Sequence, residues 1–118
     1  MGDSFKELIV WRRSVELSVA VYKLTEIFPK TEQFGLTNQM RRASVSVASN
    51  IAEGYGKTTK GEYLHFLGHA RGSNFELQTQ LVISEALSIG DETTRRTTRE
   101  LSEEVPRMLV SMMKKLSK

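Results

Sequence analysis

The sequence predicts an all-α protein, folded as an antiparallel up-down-up-down four-helix bundle in a single domain over residues 1–118. Apolar residues recur at three- and four-residue spacing in four successive segments, which is typical of amphipathic helices. Short turn sequences separate these segments, and only two prolines occur in 118 residues. The predicted helices span about residues 10–28, 33–54, 59–89 and 91–117, and short turns between them favour antiparallel neighbours.

The first predicted helix has one apolar stripe and ends before Pro29, because a residue preceding proline is disfavoured in the α region. Its stripe consists of Val10, Leu17, Val21, Leu24 and Phe28.

The second predicted helix has two apolar rows. One row consists of Leu36, Met40, Ala43, Val47 and Ile51, and the other of Val45, Ala48 and Ala52. A helix that is apolar on more than one side must be covered on more than one side. The second row therefore predicts contact with a neighbouring subunit.

The third predicted helix begins at a capping box, with Thr59 as the N-cap and Glu62 three residues later. Its stripe consists of Tyr63, Phe66, Leu67, Ala70, Asn74, Leu77 and Leu81. Gly68 and Gly72 lie four residues apart on one face. Glycine inside a helix costs about 1 kcal/mol relative to alanine, so this pair predicts a close backbone crossing.

The fourth predicted helix follows Gly90, a stop signal, and begins at Asp91 as its N-cap. Its seam consists of Leu101, Val105, Met108, Met112 and Leu116. Pro106 lies within this seam and predicts a kink or a local opening. A cluster of Arg95, Arg96 and Arg99 is diluted by acidic neighbours, so we expect it to form a solvated face.

Composition excludes several classes of function. The chain has no cysteine, which excludes disulfides, thiolate metal sites and cysteine nucleophiles and favours a reducing, cytoplasmic location. The N-terminus lacks the pattern of a secretory signal. The longest apolar run, Leu8 to Trp11, is far shorter than the ~20 residues that a membrane span needs. We therefore expect no membrane association.

No catalytic or metal-binding constellation is complete in the sequence. Glu62, His65 and His69 have the spacing of one half of a di-iron site, but the chain has only two histidines, so we expect an ordinary surface face. The segment 54–59 lacks the first glycine of a phosphate-binding loop. We expect no enzyme activity, no metal and no cofactor.

Arg41 and Arg42 lie in the middle of the doubly apolar second helix, where a charge is costly unless it is paired. One interpretation pairs them with Glu53 and Glu76, within the bundle or across subunits. The other makes them part of a patch that contacts phosphate. Arginine suits both roles, because its planar fork binds carboxylate and phosphate alike. The other members of this candidate nucleic-acid-binding patch are Arg12, Arg13 and Arg71.

Residues 5–90 resemble the four-helix-bundle proteins encoded in intervening sequences of bacterial 23S ribosomal RNA genes. The matching residues are Val10-Trp11, Phe28-Pro29, Glu32, Gly35-Leu36, Gln39, Arg41-Arg42-Ala43, Asn50-Ile51-Ala52-Glu53-Gly54, Glu62, Phe66-Leu67, Ala70, Gly72-Ser73 and Glu76. The resemblance implies a bundle that assembles into a homopentamer. A more distant similarity is to the accessory protein of diversity-generating retroelements, a basic pentamer that binds reverse transcriptase and nucleic acid.

The resemblance assigns structural or interface importance, without a defined role, to Gln39, Asn50, Glu53, Gly72 and Glu76, in addition to the two arginines. Together with a net charge of +3, it predicts a non-enzymatic homo-oligomer that binds RNA or a nucleic-acid-handling protein through a basic surface. The alternative is a protein-binding scaffold oligomer with no nucleic-acid role.

Overall fold

The computed structural model describes residues 4–118 and contains four long α-helices in chain order. They are α1 (Ile9–Glu26), α2 (Asn38–Tyr55), α3 (Lys60–Ala86) and α4 (Glu92–Leu116). Residues 1–3, which belong to the predicted domain and to the N-terminus predicted to carry no signal, lie outside the described part. No strand occurs in residues 4–118, and the predicted all-α four-helix bundle is confirmed.

Short non-α turns precede α1 and α2. A 3-10 turn over Phe5–Glu7 leads into α1, and a 3-10 turn (Lys30–Glu32) followed by a π-type turn (Gln33–Thr37) leads into α2. Each helix packs against the next along the chain, and α4 returns to pack against α1. The four helices therefore form a square bundle of 44 × 24 × 23 Å.

The core is built from the predicted stripes, except in the second half of α4, where Leu109 is buried and the predicted Met108, Met112 and Leu116 are only partly buried. The whole α1 stripe and the first apolar row of α2 are buried. In α3 the buried side chains include Leu67, Ala70, Leu77 and Leu81, and in α4 they include Leu101, Val105 and Leu109. The second apolar row of α2 is different, because Val45 stays 43% exposed. Ala48 and Ala52 are partly buried, so that row is only partly covered within one protomer.

Two predicted N-caps are confirmed. Oγ1 of Thr59 accepts a hydrogen bond from the backbone N–H of Glu62 at 3.1 Å, and its hydroxyl donates to Oε1 of Glu62 at 2.9 Å. Oδ2 of Asp91 accepts from the backbone N–H of Thr94 at 2.8 Å. These hydrogen bonds satisfy amide groups that have no partner in the first turn of a helix.

The close helix crossing predicted at Gly68 and Gly72 is wrong within the chain. A Cβ atom added at either glycine would meet no heavy atom within 4 Å, because both face away from the bundle. The close approach is at Gly54 instead. A Cβ there would lie 2.9 Å from Cβ of Phe66 and 3.2 Å from the carbonyl oxygen of Tyr63. Gly54 therefore lets α2 and α3 converge near the turn that joins them.

The solvated face predicted for the arginine cluster of α4 is wrong for Arg95, which is 4% exposed. Its guanidinium donates to the carbonyl oxygen of Ile89 and pairs with Glu92 at 2.6 Å. The reason is the turn before α4, where Gly90 has a φ of +92° and the chain folds back over the arginine. Arg96 is exposed, as predicted.

Helix α4 is not interrupted at Pro106, where the sequence predicted a kink or a local opening. The helix continues from Glu92 to Leu116 with this proline buried inside it. Across residues 4–118, none of the helices combines the length and the apolar character needed to cross a membrane.

Candidate interaction surface

An apolar groove of about 740 Å³ runs along the outside of the bundle between α1 and α2. Its apolar wall residues are Trp11, Val15, Val19 and Tyr22 from α1 and Val45, Ala48 and Ala52 from α2. We call this surface the α1–α2 groove. Val19 is 49% exposed and Tyr22 44%, and contiguous apolar surface of this kind marks interaction sites.

The α2 wall of the groove is the second apolar row that the sequence predicted, but the α1 wall was missed. The missed residues recur at four-, four- and three-residue spacing, which places them on one face of α1. The sequence therefore contains the signal for this wall. The buried stripe of α1 accounts for the amphipathic pattern of the helix by itself, so the pattern alone does not require a second apolar face.

Arg41 lies at one end of the α1–α2 groove. Its Nε donates to Oγ1 of Thr25 at 2.8 Å, and its Cζ lies 4.5 Å from the centroid of the Tyr22 ring. The hydroxyl of Thr25 donates in turn to the carbonyl oxygen of Val21 at 2.8 Å. Arg41 therefore joins α2 to α1 through a hydrogen bond and a cation–π contact.

The predicted ion pairs of Arg41 and Arg42 with Glu53 and Glu76 are absent from the described part of the protomer. Arg41 faces α1, whereas Glu76 lies on α3. Glu53 is 12 residues further along α2, and the helical rise places it roughly 18 Å away along the axis.

Arg42 is exposed and borders a second, polar groove of about 320 Å³ between α2 and α3. The other residues of this polar groove are Gln39, Ala43, Ser46, Ser73 and Glu76. The hydroxyl oxygens of Ser46 and Ser73 lie 2.9 Å apart across the helix contact. Nδ2 of Asn50 donates to the carbonyl oxygen of Ser46 at 2.8 Å.

Three of the residues that the resemblance singled out, Gln39, Arg42 and Glu76, thus meet in the polar groove. Asn50 supports its floor through Ser46. The other two of the structural or interface set, Glu53 and Gly72, are exposed at other positions on α2 and α3.

The remaining candidate arginines lie on different sides of the bundle. Nε of Arg12 donates to the carbonyl oxygen of Lys6 at 2.8 Å. Arg13 faces α4, and a short hydrogen bond and ion pair with Glu104 is the main cause that raises the pKa of Arg13. Cζ of Arg71 lies 5.1 Å from the ring centroid of Phe75 on α3. One protomer therefore does not gather the five arginines into a single patch.

His65 and His69 lie on an exposed face of α3, with their Nε2 atoms 3.0 Å apart. Within the described range, no three or more histidine, aspartate or glutamate side chains are grouped so that they could hold a metal ion.

Comparisons with known proteins give one family and one fold. The family model described as 23S rRNA-intervening sequence protein matches residues 6–111. A crystal structure of a protein of unknown function from the S23 ribosomal protein family of Bacteroides thetaiotaomicron has the same fold, with a TM-score of 0.82. The two chains are 20% identical, and the match covers 90% of this chain and 96% of the other. No curated protein matches the chain.

Proposed function

Because the chain belongs to the 23S rRNA-intervening sequence protein family, we propose that it is a non-enzymatic homo-oligomer whose copies associate through the α1–α2 groove. The observation that carries this proposal is the groove itself, an uncovered apolar surface between two helices whose opposite faces already form the core. The resemblance to pentameric proteins favours five subunits.

The apolar character of the groove supports self-association. Burial of apolar surface contributes about 25 cal/mol per Å², and a stable interface removes about 800 Å² per partner from water. That area is roughly one-ninth of the 6969 Å² accessible to solvent on one protomer. A groove that runs beside most of α1 and α2 provides the centre of such an interface.

The test introduces charge into the groove. The double variant Val19→Glu, Val45→Glu should lose assembly, because an unpaired carboxylate in an apolar interface is costly to desolvate. Ile9→Glu is the matched control, since Ile9 is 65% exposed but borders a different groove, between α1 and α4. Native mass spectrometry would measure subunit number. Equal subunit numbers for the double variant, the control and the unchanged protein would overturn the groove as the interface.

RNA binding is a second candidate function, favoured by Arg42, which is exposed and has no carboxylate partner among residues 4–118. Assembly would repeat this arginine and the +3 charge of each protomer around the oligomer. The alternative is a scaffold that binds proteins only. A cytoplasmic location fits both candidates, because the chain has no cysteine.

Filter binding of structured RNA separates the two candidates. If RNA is bound, retention should fall steeply with added salt, because counterion release supplies much of the affinity. Arg42→Ala should then weaken retention more than Arg96→Ala, an exposed arginine on α4, while both variants keep their subunit number. No retention of RNA at low salt would contradict the RNA function and leave the scaffold.

A further inference from the structure

Helix α3 carries a second apolar surface on the side that faces away from the core. Phe75, Thr79, Val82 and Ala86 recur at four-, three- and four-residue spacing, so they form one continuous stripe. The stripe is apolar except for the hydroxyl of Thr79, which donates to the carbonyl oxygen of Phe75 at 3.0 Å. All four are exposed, with Val82 at 65% and Phe75 at 43%. We call this stripe the α3 ridge. A helix that is apolar on opposite sides is normally covered on both.

The α1–α2 groove and the α3 ridge have complementary shapes. The groove is concave, so the same groove of a second copy cannot fill it. The α3 ridge is one face of a single helix, and its side chains project outward. Helices usually pack by placing the side chains of one helix into the grooves between the side chains of another. One chain therefore presents both a cavity and a shape that fits it, at different places on its surface.

We infer that the α3 ridge of one copy packs into the α1–α2 groove of the next. This inference rests on the proposed self-association and names the two surfaces that take part in it. Because the two surfaces differ, the contact is head-to-tail, and repetition closes it into a ring or extends it into a filament. A symmetric dimer with the same patch on both sides is excluded by this arrangement.

Apolar contact, rather than charge, is the basis of the pairing. The charged residues of the groove are Lys23, Glu26 and Arg41, and the rest of its lining is mainly apolar. Beside the ridge, the carboxylate of Glu85 is already paired with Arg99 of α4 at 3.4 Å. The two surfaces therefore meet chiefly through apolar side chains.

The ridge line also continues through Gly68 and Gly72. A Cβ atom added at either position would have no atom of the neighbouring helices within 4 Å. A neighbouring copy could approach the backbone of α3 closely there, because glycine has no side chain.

Cysteine cross-linking tests the contact, because the natural chain contains no cysteine that would react. Val45→Cys places a thiol on the groove wall, and Val82→Cys places one on the ridge. A short bifunctional maleimide is added to each single variant and to a mixture of the two, in which one variant carries a tag. Glu103→Cys, on the exposed side of α4, is the control. The pair Ala48→Cys and Thr79→Cys repeats the test at neighbouring positions. Native mass is recorded for every variant.

The mixture should give about ten-fold or more covalent dimer than either single variant, since a defined contact raises the effective concentration of the two thiols. The chain with both substitutions should give a ladder of covalent multimers. Efficient cross-linking of Val45→Cys with itself would overturn the inference in favour of a symmetric interface. A yield of covalent dimer from the mixture that is no higher than from the control, while the protein stays oligomeric, would also overturn the inference. In both cases the proposed self-association is retained. A monomeric protein would overturn both.

Discussion

The guanidinium of Arg41 lies over the ring of Tyr22, with Cζ 4.5 Å from the ring centroid, while its Nε donates to Thr25 at 2.8 Å. This contact joins α2 to α1 at the end of the α1–α2 groove. The carboxylate partner that one interpretation of the sequence gave to Arg41 is absent from the described part of the protomer, where Arg41 contacts Thr25 and Tyr22 instead. Its side chain fixes the wall of the groove, whereas Arg42, one residue later, points to another side of the bundle.

Arg41→Ala should lower the free energy of unfolding by about 1–2 kcal/mol, because it removes a cation–π contact and a hydrogen bond from a charged donor. Arg42→Ala should change it by less than about 0.5 kcal/mol, as is usual for an exposed position without partners. Urea unfolding at one fixed protein concentration measures both. Equal losses for the two variants would contradict the different roles assigned to them.

Gly54→Ala should destabilise the protein by about 1–3 kcal/mol, since the added Cβ would lie 2.9 Å from Cβ of Phe66 and the two helices would have to separate. Gly61→Ala, in the first turn of α3 and away from the α3 ridge, is the control. It adds a methyl group where the protomer has open space, and should stabilise the protein by about 0.4–1 kcal/mol. Thermal unfolding of both variants measures these changes in stability. An unchanged stability in Gly54→Ala would contradict the close packing of α2 against α3 at this position.

Arg95→Ala should cost about 2–3 kcal/mol of stability, because it leaves the carbonyl oxygen of Ile89 without its donor and removes a buried side chain from the turn before α4. The neighbouring variant Arg96→Ala, on the exposed side of α4, should change stability by less than about 0.5 kcal/mol. Chemical denaturation followed by circular dichroism compares them. A large effect at Arg96 or none at Arg95 would contradict the burial described here.

Asp91 should make the stability of the protein depend on pH in acid. The backbone N–H of Thr94 donates to its carboxylate and holds the pKa of Asp91 below the ordinary value of 3.8. The stabilisation from the charged cap is therefore present above pH 3.8 and is lost as the pH falls through the lowered pKa.

Asp91→Asn keeps a capping side chain that does not titrate. The unchanged protein should melt at a higher temperature than this variant at neutral pH, because a negative charge is favoured at a helix N-terminus. The difference in melting temperature should shrink as the pH is lowered. A difference that does not change with pH would contradict the capping role of the carboxylate.

The helices, most of the core and the two N-caps could be predicted from the sequence because they depend on local spacing. The row formed by Val45, Ala48 and Ala52 was predicted to lie outside the core for the same reason, since a helix of known period presents known faces. The exposure of Val45 agrees with that prediction.

The pairing of side chains between helices could not be predicted in the same way. Periodicity places Arg41 on a face of α2, but the choice between Thr25, Tyr22 and a carboxylate depends on which helix lies beside that face. Gly54 and Gly68 differ for the same reason, because a glycine in a helix does not reveal whether its open side meets a neighbour. The burial of Arg95 depends on the path of the preceding turn, which the spacing of charges does not determine.

The mass of the unmodified protein in solution tests the central claim most directly. Sedimentation equilibrium over a dilution series should give a multiple of 13.4 kDa, and five times that value if the pentamer implied by the resemblance forms. A mass of 13.4 kDa at every concentration would mean that the α1–α2 groove stays open to water, and would contradict the claim that it is an interface between copies.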